Sequence, residues 1–214
     1  MIKSNLWKII VSSLFVLCPI IFGVIFWDSL PEVIGAHFGA SGEADGFVGR
    51  AFAVFGIPCI LLAIHLVCLV VTLLDPKNRE QDRKALGIVY FIVPLVSVFS
   101  NGMIYAIALG MELDALMIAN LLVGILLIVI GNFLPKCKRN STLGIKIPWT
   151  LASDENWNAT HRVGGWAFFV SGILSLAAAF LPGVFKMIAM LVIILLSVVT
   201  LFVYSFCYYK KHEC

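Results

Sequence analysis

Residues Gly131 to Trp166 read GNFLPKCKRNSTLGIKIPWTLASDENWNATHRVGGW, a polar stretch set between long uncharged runs. It holds five of the fifteen lysines and arginines (Lys136, Lys138, Arg139, Lys146 and Arg162) and three of the five tryptophans, Trp149, Trp157 and Trp166. Such a concentration of charge and indole between apolar runs marks where a chain leaves lipid. Composition agrees, with 61% hydrophobic and only 13% charged residues. A soluble domain carries roughly 25% charge, and one of this length could not bury so much apolar surface. In a membrane the lipid is the solvent. The net charge of +3 argues against a nucleic-acid surface. Cys18, Cys59, Cys68 and Cys207 lie inside apolar runs, and Cys137 and Cys214 fall on the inner side, so the cysteines read as reduced thiols.

Working outward, charge-free runs mark six spans. They are roughly Ile9 to Trp27, Ala51 to Leu74, Ala85 to Met111, Ala115 to Pro135, Val163 to Leu181 and Met187 to Tyr209. Each approaches or exceeds the ~20 residues that a helix needs to cross hydrocarbon. The first run follows Lys3 and Lys8 as a signal peptide would, but it lacks a small-residue cleavage site and reads as a retained helix. Leu30-Pro31, Leu134-Pro135 and Leu181-Pro182 punctuate helix ends. With the N-terminus inside, thirteen basic residues face the cytoplasm and only Arg50 and Lys186 face outward. The expected fold is therefore an all-α integral membrane protein of six helices, N-in and C-in. It divides into a two-helix region, residues 1–84, and a four-helix region, residues 85–214.

The outer loop Asp28 to Arg50 is rich in glycine and acidic residues, which predicts turns or short extended pieces capping the outer face. His37, Glu43 and Asp45 are metal ligands by type, but no H-x-x-H spacing joins them, and no metal is expected. His65 lies deep in the second span without an acidic partner at its depth, so it reads as a neutral histidine bonded to another helix. Ser97, Ser100 and Asn101 read as interhelical hydrogen-bond groups, and Asp75 to Lys84 as a topology anchor at the headgroups. Ser153 with Asp154 and Glu155 predicts a helix start. Trp157 and His161, four apart, then share a face. The expectation is a short interfacial helix turning into the fifth span at Gly164-Gly165. His161 has no cysteine or second histidine beside it, so neither metal binding nor nucleophilic catalysis is expected.

Gly131-Asn132-Phe133-Leu134-Pro135-Lys136, Asn140, Gly144-Ile145-Lys146, Pro148-Trp149-Thr150-Leu151, Trp157 and Thr160-His161-Arg162 together resemble the signature of the SdpI-like bacterial immunity family. Leu30-Pro31-Glu32, His37-Phe38, Gly42 and Asp45 resemble the domain of unknown function that often precedes it. The family pattern has Arg-Thr where this chain has Lys146-Ile147. Lysine keeps the charge but lacks the planar fork, and isoleucine lacks the hydroxyl. Gly35 stands where a proline is common, and Arg50 where a lysine is common.

The resemblance implies a non-enzymatic, cofactor-free protein of the bacterial plasma membrane that protects its cell from a secreted antimicrobial peptide of the sporulation-delay type. It also implies signalling, in which the toxin-engaged protein sequesters a winged-helix autorepressor at the membrane. The inner docking residues would be Lys136, Asn140, Gly144, Lys146, Pro148, Trp149, Thr150, Trp157, His161 and Arg162. Pro31, His37, Gly42 and Asp45 would form the toxin-side loop. The competing reading is a small transporter or exporter of a hydrophobic substrate. Against it stand the lack of paired interrupted helices and of a buried charge pair in the sequence.

Overall fold

The computed structural model describes residues 5–81 and 86–212. Lys3, Arg83, Lys84 and Cys214, which enter the charge and cysteine readings, lie outside the described residues. Helix α1 (Leu6–Ile25) leads into a hairpin of β1 (Val33–Phe38) and β2 (Ala44–Gly49). A π-helical turn, Phe52–Gly56, opens α2 (Ile57–Leu74), and the 3-10 turn Pro76–Glu80 follows it. A second 3-10 turn, Ile88–Tyr90, precedes α3 (Ile92–Ala108). Helix α4 (Ala115–Phe133) ends in the 3-10 turn Leu134–Lys136. The five-residue α5 (Pro148–Ala152), α6 (Asp154–Ala178) and α7 (Phe185–His212) complete the chain.

Five helical segments, those of α1, α2, α3, α4 and α7, are long and apolar enough to cross a membrane. Their outward side chains are apolar, as at Ile21, Val67, Phe91 and Leu195. This is the inverse of a soluble fold, and it suits helices that satisfy every backbone group internally. Proline is accommodated locally. Ile57 N–H reaches Phe52 O in the π-turn, and Pro58 has no N–H for the next carbonyl, Ala53 O. The Tyr105 hydroxyl of α3 donates to that oxygen at 3.3 Å.

Helix α1 packs against α2 and α3, while α6 packs against α4 and α7. Glycines decide how close α4 and α6 come. A Cβ on Gly131 would sit 2.7 Å from Gly165 O, and one on Gly124 would sit 2.9 Å from Gly172 O. The pairs Gly131/Gly165 and Gly124/Gly172 run in opposite directions along their helices, so α4 and α6 are antiparallel and nearly backbone to backbone, as small residues permit in lipid.

Polar side chains stitch the bundle. Ser97 Oγ donates to Val16 O at 2.8 Å, and Ser171 and Ser197 share a bond of 2.6 Å. His65 is fully buried and bonds Ser12 of α1 through Nε2 at 2.8 Å. The expected helix-to-helix role fails for Ser100 and Asn101, which bond Val96 O and Ser97 O of their own helix. Helix polarity allows this, because a serine or asparagine reaches its own i−4 carbonyl as easily as a neighbour.

Two expectations change, and a third is sharpened: the loop after α1, expected as turns or short extended pieces, is a β-hairpin on an otherwise helical fold. Its inner face, with Ile34, Ala36, Phe38 and Val48, packs on Leu30, Val54, Ile104 and Tyr105. The short interfacial helix turning at Gly164-Gly165 is absent, since α6 runs unbroken from Asp154 to Ala178. Those glycines serve close packing, where Gly164 meets Ile145, Leu134 and Leu201, and no turn is needed. Finally, Lys186 pairs with Asp114, and the lysine side chain is only 10% exposed. The pair links the first turns of α4 and α7. Residues 72 apart form it, too far in sequence for the spacing to announce.

Candidate functional site

The stretch after α4 folds into a compact loop whose polar groups are consumed internally. Asn140 is its hub. Its Oδ1 accepts the N–H groups of Thr142 at 2.8 Å and Leu143 at 2.6 Å, and its Nδ2 donates to Lys138 O and Leu143 O. Gly144 then takes φ +105°, and a Cβ there would strike the His161 and Trp157 rings. That combination requires glycine. Thr150 closes the next turn, accepting from Ile147 N–H at 3.1 Å, with Ile145 O 2.8 Å from its hydroxyl.

Helix α6 holds the loop from beneath. Ser153 caps its N-terminus, accepting from Asn156 N–H at 3.2 Å, with Asp154 and Glu155 in the first turn. The Glu155 carboxyl lies below its usual range through its hydrogen bonds, first to its own backbone and then from Ser153. Arg139 joins α5 to the start of α6, bonding Leu151 O at 2.8 Å and the Asp154 carboxylate at 2.7 Å. Trp157 is fully buried and donates from Nε1 to Cys137 O at 2.7 Å. His161 stacks on it with centroids 3.9 Å apart.

The histidine is fully committed. Ile145 N–H donates to Nε2 at 3.0 Å, so the proton sits on Nδ1, which donates to Trp157 O at 2.8 Å. His161 lies two residues ahead of the apolar run that begins at Val163. Burial pushes its imidazole down to about 4, against the small upward pull of the Trp157 carbonyl. It is a neutral structural bridge. Among the described residues, no group of three His, Cys, Asp or Glu side chains could hold a metal.

Of the ten inner residues singled out from the sequence, Asn140, Thr150, Trp157 and His161 are buried and build the loop. Lys136, Gly144, Lys146, Pro148 and Arg162 are exposed. Trp149 is half-buried, its ring 5.2 Å from Phe202 and 5.4 Å from Phe206 on α7. Trp157 is thus a core residue and no interfacial anchor, while Trp166, 70% exposed, keeps that position. At the other end of the bundle, His37 Nδ1 and Asp45 Oδ1 meet at 2.5 Å across the hairpin. Gly42 forms the tip with φ +86°, and Pro31 lies before β1, so neither joins that pair.

Three residues that the sequence reading took only as part of a headgroup anchor complete the loop. Asp75, Asn78 and Gln81 flank and occupy the 3-10 turn after α2. Asp75 accepts Ser141 N–H at 3.1 Å, and Asn78 bonds Thr142 Oγ1 at 2.6 Å. Gln81 grips the Lys138 backbone twice, at 2.5 Å and 2.9 Å. A 3-10 helix repeats every three residues, so this spacing aligns all three on one face. The i, i+3, i+6 run of Asp, Asn and Gln was the available signal. Gln81→Ala should cost about 1–3 kcal/mol for its two bonds, and trypsin should cut faster at Lys138 or Arg139. Unchanged cleavage would show that the clamp does not hold the loop.

At the far end of α4, Asp114 caps the helix and receives Lys186. Burial alone would raise its carboxyl, but the hydrogen bonds from Lys186 and Met117 N–H, with the lysine charge, hold it below the usual range.

Residues 136–208 match the SdpI/YfhL protein family, and residues 14–62 match the domain of unknown function DUF1648. Among characterised proteins, the chain is 26% identical over 204 residues to the immunity protein SdpI of Bacillus subtilis (strain 168), covering 95% of this chain and 97% of that one. No solved structure matches the chain. The two matched regions fall on the hairpin half and on the locked loop with the helices after it, and the chain is a multi-pass bacterial plasma-membrane protein similar to the SdpI/YfhL family over residues 136–208.

Proposed function

We propose that this protein is a non-enzymatic immunity protein that guards its own membrane against a secreted antimicrobial peptide. The observation that carries the reading is similarity to an immunity protein over 95% of the chain, hairpin and locked loop included. Six spans, N-in and C-in, are the topology we assign. Asp114 and Lys186 pair at one end of α4 while Gly131 meets Gly165 near the other, which supports α6 as a sixth span of the same thickness. The basic residues support the orientation. Exposed Lys136, Lys138, Lys146 and Arg162 lie at the loop end. The two cations of the hairpin end are both engaged, Arg50 with Trp27 O and Leu30 O, Lys186 with Asp114.

Within that frame, residues 1–84 meet the toxin and residues 85–214 form the signalling region. Helix α3 packs on α1 and α2 and so joins the two. Exposed Lys136, Gly144, Lys146, Pro148 and Arg162, with the edge of Trp149, form the docking face for a cytoplasmic autorepressor. Buried Asn140, Thr150, Trp157 and His161 fix its shape.

A killing assay tests the reading. Sensitive bacteria expressing the chain should survive a sporulation-delay peptide, His37→Ala should lower survival, and Lys146→Ala or Trp149→Ala should release the repressor while sparing survival. Death of expressing cells, with the protein present in their membranes, would refute immunity. One observation favours a transporter, the part-buried Lys186–Asp114 pair. Protection that collapses with the proton gradient would select that reading.

A further inference from the structure

The hairpin has a second face that the bundle does not use. Val33 and Phe47 are 60% and 62% exposed, although Ile34 between them in register is 1% exposed. Val33 pairs with Gly49 and Gly35 with Phe47, which sets the two apolar side chains on adjacent rungs of one face. The Phe47 ring leans over Gly35, where a Cβ would lie 3.7 Å from it. His37 and Asp45 continue the same face toward the tip.

Charge decides what could cover it. Glu32, Glu43 and Asp45 are exposed around the apolar pair, and Asp28 and Glu112 are exposed at the same end of the bundle. The cations there are occupied, Arg50 capping the end of α1 and stacking 4.7 Å from the Trp27 ring, Lys186 bound to Asp114. A face with outward Phe and Val, with Glu32 and Glu43 in no ion pair among the described residues and Asp45 bonded only to His37, repels an anionic headgroup layer and attracts an apolar chain that carries positive charge.

Resting on the topology and immunity role proposed above, we infer that the outward face of the hairpin captures a secreted peptide that is both apolar and cationic. Phe47 and Val33 are its apolar anchors, and Glu32, Glu43 and Asp45 are its charged rim. Phe47 takes up the apolar side of the peptide, because an exposed aromatic ring gains most from being covered. The carboxylates select the sign of its charge and speed its arrival.

The test uses the full chain in phosphatidylcholine nanodiscs and a labelled amphipathic lysine–leucine peptide, with a glutamate–leucine peptide of the same length as control. Loaded discs should bind the lysine peptide about tenfold more tightly than empty discs. Phe47→Ser should lose about that tenfold, and Glu43→Gln/Asp45→Asn should weaken binding and flatten its salt dependence. Both sites are exposed, so thermal unfolding should stay as in the parent and separates lost capture from lost fold. Binding no tighter than to empty discs would mean the peptide reads only lipid and would overturn the inference. So would equal binding of the glutamate peptide, or an unchanged Phe47→Ser variant. Failure of the immunity role reads differently. Cells would then die although the chain still captures the lysine peptide, whereas Phe47→Ser cells that survive like the parent would sink the capture surface alone.

Discussion

Gly165→Leu is expected to unfold the packing of α4 on α6. A Cβ at this position already meets Pro135 Cγ at 2.5 Å and Gly131 O at 2.9 Å, and neither a proline ring nor a helix carbonyl can move aside. Overpacking of a dense interior costs about 1–3 kcal/mol or more. Here the upper end applies, because separating the helices also loosens the Gly124/Gly172 approach one heptad away. Gly131→Leu should behave alike, since its Cβ would lie 2.8 Å from Phe169 N. Gly102→Ala is the control. It faces open space in α3 and should change stability little or raise it slightly. Denaturant unfolding in detergent reads all three. A Gly165→Leu protein as stable as the parent would show that the glycines do not set the helix approach.

Acid should open the inner loop through His161. Its imidazole is neutral in the folded protein, held at about 4 by burial against an ordinary 6.5. The unfolded chain therefore binds the extra proton first, and the stabilising contribution is complete above pH 6.5 and is lost as pH falls toward 4. At pH 5 the loss is roughly 2 kcal/mol. Protonation also removes the acceptor that Ile145 N–H uses. Trp157, stacked on the ring and bonded to Cys137 O, reports the event by its fluorescence. His161→Gln should flatten the dependence between pH 6.5 and 4. Trp157→Ala should cost about 3–5 kcal/mol at any pH, as a fully buried indole lost. A parent protein with a level fluorescence profile down to pH 4 would refute the assignment.

Much of this was legible in the residues. Uncharged runs of helical length announced the membrane helices, because lipid demands apolar side chains and internally satisfied backbone. The Ser153 cap followed from local chemistry, as did the shared face of Trp157 and His161, since both are decided within one turn of helix. The loop after α1 was rich in turn-forming residues, but its strand pairing was hidden. Gly35 and Gly46 leave no alternating pattern, although each makes room for a partner across the ladder. Gly164 and Gly165 read as a turn, since a glycine pair looks the same whether it bends a chain or lets another backbone approach.

Composition and spacing alone established that the protein lives in a membrane, that it offers several apolar helices long enough to cross it, and which loop carries the family signature. Those properties are sums over local composition, and the lipid environment enforces them without reference to neighbours. Folding set which of the ten inner residues became buried supports, namely Asn140, Thr150, Trp157 and His161, and which stayed exposed. The tertiary structure alone revealed that Asp75, Asn78 and Gln81 hold Ser141, Thr142 and Lys138 across more than fifty residues. It also paired Lys186 with Asp114. Such contacts join groups that are distant in the chain, and a hydrogen bond or an ion pair depends on where folding places two atoms, which no local pattern records.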